Sequence, residues 1–555
     1  MDFLFKLFYV LLVIVFQLQY YTKILLYVQL SGYTIKSIGE YFLLSIKNTF
    51  VQWILYLIVF ITMLIINYCN IYFLLIMLIF SGVVIILSGD KFLTIRKIKY
   101  TKRVCRIILL SVLLFVGYIA ITLLFSNIII LVMMPFILPL NFLIMLLSLL
   151  ILSPIELWIK NSYIRKAKLK LKETRDLIKI GITGSYGKTS TKEILNTILN
   201  TSFYTVSTPK SFNTPMGITK TILNDINNLH EVFVCEMGAK KVGEIKELCS
   251  LIDVDYGIVT AVGRQHTSTF GSINNIYRTK KELPDYLDGK SCIFNIMNKY
   301  VYKMYKEYNG VKIGVFYGKN TDLHNSAFIV KKLHKYAKNR VFIDNKYILY
   351  AYPIAGNVYA KNIKIDENGC SFSVYMSGCK LCDASTELIG IHNIINILLA
   401  VAMAKLLSVS NENIEIGISK IKQVKARLEK FVSNRGAIIL NNGYNSNIDS
   451  VDYSLQTMLL FNKSNRLIVT PGLIESNDSY SVNKLFGQKI SKYATDVIIV
   501  KMINRDAIYS GLMSEGFDMT RVLFVDSFAE AKKYIDALDN SYVVLIENDL
   551  PDNYV

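Results

Sequence analysis

Residues 183–190 are the most informative stretch of the chain for chemistry. They read Thr-Gly-Ser-Tyr-Gly-Lys-Thr-Ser and lie between a predicted strand at Leu177–Ile182 and a predicted helix at Thr191–Leu199. In this order, glycines let backbone N–H groups close around phosphate oxygens, and the helix N-terminus adds its dipole. The Lys188 ammonium would reach the β- and γ-phosphates, and the Thr189 hydroxyl would bind Mg²⁺. The predicted nucleotide-binding residues here are Gly184, Ser185, Gly187, Lys188, Thr189 and Ser190.

Three features around this loop leave alternatives open. Ile182 lies five residues before Gly187, where the general phosphate-loop pattern has glycine, so a chance Gly-Lys-Thr turn is the competing interpretation. Glu236 ends a predicted strand at Val232–Glu236, where a carboxylate can hold Mg²⁺ or be a solvated loop acid. His266 is a lone histidine, which is either structural or a metal ligand.

Further motifs make the chain resemble the Mur ligases, the ATP-dependent ligases that add amino acids to peptidoglycan precursors. In the family's order they are SFNTPMG at 211–217, EMGA at 236–239 with GEI at 243–245, QH at 265–266 before FGS at 270–272, TKKEL at 279–283, GIHNIIN at 390–396, ARLE at 426–429 and YNSN at 444–447. The resemblance covers about residues 177–555. Judged by the EMGA and YNSN stretches, the chain most resembles the member of the family that adds D-alanyl-D-alanine.

This resemblance implies a reaction and a set of residues. A carboxylate is activated by the γ-phosphoryl group of ATP, and an amine then attacks the acyl phosphate. Thr189 and Glu236 are expected to bind Mg²⁺, and His266 a second ion. Lys280 matches the family's carbamylated lysine, although a plain lysine salt bridge is the alternative. A polyglutamate-type ligase and a non-catalytic ATP-binding subunit of a membrane complex remain as other functions.

The resemblance also implies binding residues on both sides of the nucleotide. Arg427 matches an arginine that contacts phosphate, for which a planar guanidinium is well suited. The residues that resemble the adenine side are Asn295, His392, Asn393 and Asn396, and those on the substrate side are Asn213, Tyr444, Asn445 and Asn447.

The elements that must position these residues follow from periodicity. After residue 176, short β-branched runs alternate with helical patterns, which is typical of parallel α/β architecture. We expect a central ATP-binding domain at 177–424, with a small antiparallel insert at about 300–385, and a Rossmann-like C-terminal domain at 425–555. A membrane region at 1–158 and a basic linker at 159–176 would precede them.

The membrane region is predicted from five apolar runs at about 3–21, 52–68, 71–88, 107–125 and 128–153. Hydrophobic residues make up 52% of the chain, and 29 Gly with 9 Pro exclude a low-complexity protein. Residues 1–179 hold 19 Lys/Arg and 6 Asp/Glu, so this part of the chain carries most of the net charge of +20. Its basic residues lie beside apolar runs and belong to no nucleic-acid recognition motif. We therefore expect a multi-pass membrane protein with cytoplasmic ligase domains and contact with lipid, not nucleic acid.

The sequence departs from the Mur pattern at three places. No segment typical of a uridine-nucleotide-binding domain separates the apolar runs from the phosphate loop. The family's acidic pair before YNxN is Asn441-Asn442, and its basic Lys-Gly-Ser stretch near the C-terminus is replaced by one beginning at Glu547. The substrate pockets are therefore expected to differ from those of the soluble enzymes.

Overall fold

The structure is a computed structural model that describes residues 2–43, 98–125, 137–174, 176–265, 267–317, 357–444, 446–473 and 478–548. Contacts divide the chain into one compact unit up to residue 162 and another at residues 163–550.

The first unit is helical where it is described. Its helices are α1 (Asp2–Leu30), α2 (Lys102–Thr122) and the first part of α3 (Ile137–Glu173), which continues into the second unit. In the described part of the chain, Lys102–Thr122 and Leu140–Glu173 are long and apolar enough to cross a membrane. They overlap the predicted runs 107–125 and 128–153, and run 3–21 lies in α1. Runs 52–68 and 71–88 lie outside the described residues, so a five-helix region stays a prediction.

The second unit is built on two sheets, and the first has nine strands in the order β2-β3-β1-β4-β5-β6-β7-β8-β9. Along this spatial order, each strand from β2 to β7, including β1, pairs in parallel with its neighbour. Strand β8 pairs antiparallel with both β7 and β9. The strands are β1 (Ile178–Thr183), β2 (Thr205–Ser207), β3 (Val232–Met237), β4 (Tyr256–Val259), β5 (Ser291–Asn295), β6 (Lys312–Tyr317), β7 (Val358–Asp366), β8 (Gly369–Met376) and β9 (Cys379–Thr386).

The described strands β7, β8 and β9 of the predicted insert at 300–385 are antiparallel to one another, as expected. Strands β7, β8 and β9 continue the main sheet from β6, because β7 pairs in parallel with β6 along Val315–Tyr317. Residues 318–356 of the insert lie outside the described residues.

Helices cover this sheet, and one of them is buried on every side along most of its length. They are α4 (Lys188–Leu199), α5 (Pro215–Asp225), α6 (Glu244–Ile252), α7 (Thr267–Phe270), α8 (Ile273–Leu287), α9 (Lys299–Glu307), α10 (Ile391–Leu406) and α11 (Asn411–Ser419). Residues 393–404 of α10 are all buried, because this helix packs against strands β5 to β8 and against α4, which lies on β1 to β3. Two of the expected nucleotide residues, Asn393 and Asn396, lie on it and are held among apolar neighbours.

Two adjacent glycines let α8 approach the sheet closely. Gly181 and Gly257 pair across β1 and β4. A Cβ on Gly257 would lie 2.6 Å from a methyl carbon of Leu287, and one on Gly181 would lie 3.2 Å from a methyl carbon of Leu283. Larger residues at these two positions would displace α8 from the sheet, and Lys280 would move with it because it lies on α8.

The second sheet has six strands in the order β10-β11-β15-β12-β13-β14, all parallel except β10. The strands are β10 (Glu429–Val432), β11 (Ile438–Asn442), β12 (Asn465–Thr470), β13 (Asp496–Val500), β14 (Val522–Val525) and β15 (Tyr542–Glu547), and the helices are α12 (Val451–Met458), α13 (Ser479–Ile490), α14 (Arg505–Ser514) and α15 (Phe528–Ala537). This alternation is a Rossmann-like arrangement. The strands predicted at Ala437–Leu440, Arg466–Thr470 and Tyr542–Ile546 are confirmed, whereas the domain limit at 424/425 stays a prediction.

A fully buried lysine ties α4 to the loop after β2. The Lys192 ammonium donates hydrogen bonds to the carbonyl oxygens of Thr208 and Lys210, each at 2.6 Å. It also lies 3.0 Å from Glu193 Oε1 and 4.0 Å from Glu236 Oε2. A cation without water contact is tolerated only when paired and hydrogen-bonded, and Lys192 meets both conditions.

We predict that Lys192→Met lowers the free energy of unfolding by about 3–5 kcal/mol, because it removes a positive charge beside the buried Glu236 carboxylate and the donor of two loop carbonyls. Chemical denaturation, followed by far-UV circular dichroism, measures this loss. Glu193→Gln is the matched control: it removes a partly exposed partner of the same ammonium and should cost about 1 kcal/mol or less. Equal effects of the two substitutions would show that Lys192 is not a structural charge.

Candidate active site

The loop at 183–190 is held against the end of β4 by glycines that no other residue replaces easily. Gly184 has φ +154° and Gly187 has φ +81°. A Cβ on Gly184 would lie 2.0 Å from Thr260 Oγ1, and one on Gly187 would lie 2.9 Å from Asn396 Oδ1. Ser185 donates its backbone N–H to Ala261 O at 2.7 Å. The loop therefore has one defined course, which ends at the N-terminus of α4.

Lys188 is the first residue of α4 and turns back over the loop. Its ammonium donates to Gly184 O at 2.6 Å and to Ser185 O at 3.3 Å. Desolvation lowers the pKa of Lys188 to about 8, although the nearby Glu236 carboxylate raises it and the Arg427 guanidinium lowers it further. The ammonium thus lies in a poorly hydrated position, where attraction to an anionic ligand is strong.

Glu236 is the candidate metal ligand with the most complete support from its surroundings. It is buried near the end of β3, and its Oε1 accepts a hydrogen bond from Asn213 Nδ2 at 3.0 Å. Its Oε2 is buried with no hydrogen-bond partner in the described part of the chain. Asn213 is itself fixed by close approach to Gly238, where a Cβ would lie 2.6 Å from the Asn213 side chain. A buried carboxylate oxygen without a donor fits a hard divalent cation.

Lys280, and not its neighbour Lys281, faces this region. Lys280 is 3% exposed on α8 and lines the same cavity as Glu236, whereas Lys281 pairs with Asp285 at 2.7 Å near the surface. Desolvation, and next the positive charge of Lys188, lower the pKa of Lys280 to about 7. A large fraction of this amine is therefore uncharged near neutral pH, which is the form that reacts as a nucleophile.

A cavity of about 210 Å³ brings most of the predicted reaction residues together. We call it the phosphate cavity. Its walls include Ser185, Gly187, Lys188, Thr189, Asn213, Glu236, Lys280, Arg427 and Tyr444.

A second cavity, of about 350 Å³, shares Tyr186, Gly187, Arg427 and Tyr444 with the first. We call it the nucleoside cavity. It also contains the predicted residues Ser190, Asn295, His392 and Asn396. Burial lowers the pKa of His392 to about 4, so its imidazole is neutral, and its Nδ1 has no hydrogen-bond partner among the described residues.

Arg427 lines both cavities and contacts Tyr444, in the loop after β11. Its Nη1 donates to Tyr444 O at 2.8 Å, and its guanidinium lies 4.5 Å from the centre of the Tyr444 ring. Tyr444 in turn donates its hydroxyl to Ser211 Oγ at 2.8 Å. Ala426 and Leu428 both have positive φ, at 56° and 52°, so the backbone turns sharply on either side of the arginine. These contacts hold Arg427 over the phosphate loop.

Five predicted residues do not line either cavity in the described structure, and the first is Gly184, whose carbonyl oxygen instead accepts from the Lys188 ammonium. Asn393 lies behind Asn396, accepts a bond from it at 3.4 Å and donates to Ile389 O at 2.8 Å. Asn447 is buried and accepts a bond from Asp449 N at 3.1 Å, so it shapes the loop after Tyr444. His266 and Asn445 lie outside the described residues.

Sequence reasoning missed several residues of these walls. Tyr186, Asn298 and Tyr453 all line the nucleoside cavity. Tyr186 lies inside the loop motif at a position where the pattern accepts any residue, and Asn298 and Tyr453 carry no motif that relates them to a nucleotide. Asn442 also lines this cavity, and the sequence marked it only as a departure from the family's acidic pair. Arg264 was also missed; it binds Asp449 with Nη2 and Oδ1 3.0 Å apart and joins the loop after β4 to the C-terminal domain.

Comparison with known proteins adds to this geometry. The Mur ligase middle domain family matches residues 182–404. The UDP-N-acetylmuramoyl-tripeptide–D-alanyl-D-alanine ligase of Buchnera aphidicola subsp. Acyrthosiphon pisum is 25% identical over 325 residues, which are 59% of this chain and 63% of that ligase. The enzyme of the same name from Bacillus subtilis is 26% identical over 54% of this chain and 57% of its own length. The chain thus spans less than two thirds of either relative.

Solved structures agree on the fold. MurF from Acinetobacter baumannii matches with a TM-score of 0.57 and 20% identity, over 70% of this chain and 77% of that one. MurF from Thermotoga maritima in complex with ADP matches with a TM-score of 0.55 and 19% identity, over 70% of this chain and 80% of that one. Residues 182–404 thus match the Mur ligase middle domain, and the chain is similar to these D-alanyl-D-alanine-adding ligases in sequence and to MurF in fold.

Proposed function

We propose that the chain is an ATP-dependent amide ligase that joins an amino acid or dipeptide to a carboxylate of a cell-wall precursor. The observation that carries the proposal is the phosphate cavity, where Lys188, Glu236, Lys280 and Arg427 line one space beside a phosphate loop. Three cationic or potentially cationic side chains and one buried acid suit a reaction in which negative charge moves between phosphate and carboxylate oxygens.

ATP is proposed to occupy both cavities. Its base and sugar fit the nucleoside cavity beside Asn295, His392 and Asn396, and its phosphates reach the phosphate cavity past Gly187. The backbone N–H groups at the start of α4 and the Lys188 ammonium then face the phosphates. The relative from Thermotoga maritima that was solved in complex with ADP supports this placement, since it shares the fold.

The order of events follows from where the charges lie. Lys188 and Arg427 stabilise the γ-phosphoryl group as a substrate carboxylate attacks it, which gives an acyl phosphate and ADP. The amine of the second substrate then attacks the acyl carbon, phosphate leaves, and an amide bond remains. The residues contribute position and charge instead of a covalent intermediate.

Divalent cations fit this site at Glu236 and Thr189. Glu236 Oε2 is buried without a hydrogen-bond partner among the described residues, and Thr189 lines the same cavity. Bound Mg²⁺ would supply charge neutralisation between phosphate oxygens. We further propose that Lys280 is carbamylated by carbon dioxide, since a poorly hydrated amine of lowered pKa is the reactive form and the product is a second carboxylate beside the site.

The substrates are proposed from the relatives and from the first 176 residues. The relatives are named for a UDP-N-acetylmuramoyl-tripeptide and D-alanyl-D-alanine, and we propose substrates of the same classes here. Because apolar runs and basic residues directly precede β1, we also propose that the protein is membrane-anchored and that its acceptor is held at the membrane surface. Four basic side chains of α3 are exposed and available to anionic headgroups or pyrophosphates: Arg165, Lys166, Lys168 and Lys172.

We predict that Lys188→Ala lowers ATP-dependent product formation by at least about 100-fold, because the ammonium that faces the phosphates is lost. Product is measured by mass spectrometry with purified full-length protein, ATP, precursor and candidate amines. Lys420→Ala, an exposed lysine at the end of α11, is the control and should retain activity. Unchanged product with Lys188→Ala contradicts the phosphate-loop assignment.

We predict that Lys280→Ala loses most activity and partly recovers it when acetate is added, since a free carboxylate can replace the charge of a carbamate. Initial rates across an acetate series measure the recovery. Lys281→Ala is the matched control, because that lysine pairs with Asp285 away from the cavity. A normal rate for Lys280→Ala, or acetate activation equal to that of Lys281→Ala, would refute the carbamate.

We predict that full-length protein in anionic lipid vesicles converts a lipid-linked muropeptide faster than the soluble UDP-linked form at equal concentration, because both partners share one surface. Competition between the two acceptors, resolved by mass spectrometry, measures the preference. Exclusive use of the soluble acceptor would leave the helices as a simple anchor.

A further inference from the structure

A fully buried acid, Glu547, lies behind the wall of the nucleoside cavity and has no part in the mechanism above. It is the last residue of β15, where it stands opposite Asn442 of β11 in the parallel register. Asn442 Nδ2 lies 3.1 Å from Glu547 Oε1 and 3.0 Å from Oε2. The hydroxyl side chains of Ser446 and Ser454 also lie beside this carboxyl group and lower its pKa. The acid therefore has three polar partners around it.

All three partners of Glu547 line the nucleoside cavity, whereas Glu547 does not. The carboxyl group thus forms a second layer beneath the cavity surface. Desolvation raises the pKa of Glu547 to about 7, and its polar contacts with Ser446, Asn442 and Ser454 oppose that rise. Burying an ionisable acid at this depth costs free energy, so we looked for a role for Glu547 in its contacts with the cavity wall.

The contact fixes which end of the Asn442 amide is used inside the protein. An amide group offers one donor end and one acceptor end, and the ionised carboxylate, which is the form that the hydrogen bonds from Asn442 stabilise, only accepts. Because the amide nitrogen is engaged by Glu547 and also lies 3.3 Å from Ser446 Oγ, only the amide oxygen is left for a ligand. The side chain therefore has a defined orientation that does not depend on the ligand.

We propose that Glu547 is a positioning residue that holds Asn442 with its amide oxygen toward the nucleoside cavity, where it accepts a hydrogen bond from a donor group of the bound nucleotide. The inference rests on the proposed function for the identity of the ligand. Two groups of an adenine nucleotide have the required chemistry, a sugar hydroxyl and the exocyclic amino group. The chain thus combines an amide on β11 with an acid on the neighbouring strand β15.

The test exchanges the partners of this contact and measures ADP binding to the purified full-length protein by calorimetry. In Glu547→Lys the new ammonium donates, so Asn442 must turn its oxygen inward and its NH₂ group toward the ligand, and ADP affinity should fall about tenfold or more. In the double variant Asn442→Asp with Glu547→Lys, one aspartate oxygen meets the ammonium and the other faces the cavity. ADP affinity should then return to within about threefold of the unmodified protein.

Controls separate this role from general stability and charge. Glu515→Lys makes the same charge change at an exposed position of the same domain and should leave ADP affinity unchanged. Asn442→Leu removes the acceptor without placing a lysine in the interior, and should lower ADP affinity about tenfold even if Glu547→Lys does not fold. Glu547→Gln can still accept from Asn442 and should bind ADP within about threefold of the unmodified protein.

Nucleotide analogues identify the donor. The loss caused by Asn442→Leu should disappear for 2′-deoxy-ADP or 3′-deoxy-ADP if the donor is that sugar hydroxyl, and for inosine diphosphate if it is the amino group. An undiminished loss with all three analogues overturns the inference, as does ADP binding by Asn442→Leu equal to that of the unmodified protein. A folded double variant that does not recover overturns it as well. Failure of the unmodified protein to bind ADP at all would instead refute the proposed function.

Discussion

The candidate active site depends on one buried carboxylate, Glu236, and on the charges that make its burial tolerable. Lys192, fully buried on α4, lies 4.0 Å from Glu236 Oε2 and uses its donors on two loop carbonyls and Glu193. Asn213, on the segment after that loop, satisfies Oε1. Oε2 is left without a donor among the described residues. One lysine thus fixes the helix after the phosphate loop and the segment that orients the acid, and it leaves an oxygen available to a cation.

A second constraint is the concentration of positive charge around this acid. Desolvation lowers the pKa of Lys188 and of Lys280, and Lys188 further lowers that of Lys280. Burial also lowers the pKa of Arg427, which Glu236 partly restores. Like charges held together out of water are unfavourable by themselves and become favourable when an anion lies among them. This arrangement explains why a phosphate-transferring ligase is a better account than a structural salt-bridge network.

Much of the fold and part of the site could be predicted from sequence, for local reasons. The phosphate loop and its flanking strand and helix follow from glycines, β-branched residues and periodicity over a few residues, and Glu236 follows from its place at a strand end. Lys192 could not be found in this way, because its partners lie in a loop 16 and 18 residues away. Glu547 and Asn442 are 105 residues apart and meet only because β15 inserts between β11 and β12.

Other differences have equally physical causes. The antiparallel strands after residue 357 show the alternation that was expected, but alternation does not tell which sheet a strand joins, and β7 joins the main one. Two apolar helices long enough to span a membrane are present in the described residues, and such helices also occur in soluble cores, so sequence apolarity and length alone do not establish five crossings. Which of Lys280 and Lys281 faces the cavity depends on how α8 packs against the sheet, a contact made close by Gly181 and Gly257 and invisible in local sequence.

The most direct test of the central claim follows a carboxylate oxygen of the acceptor precursor. The precursor is labelled with ¹⁸O in its reacting carboxylate and converted with ATP and the amine by the full-length protein, and the released phosphate is analysed by mass spectrometry. An acyl phosphate transfers one labelled oxygen from the carboxylate to phosphate for each amide formed, and this is the result that the account predicts. Amide formation with unlabelled phosphate would contradict it.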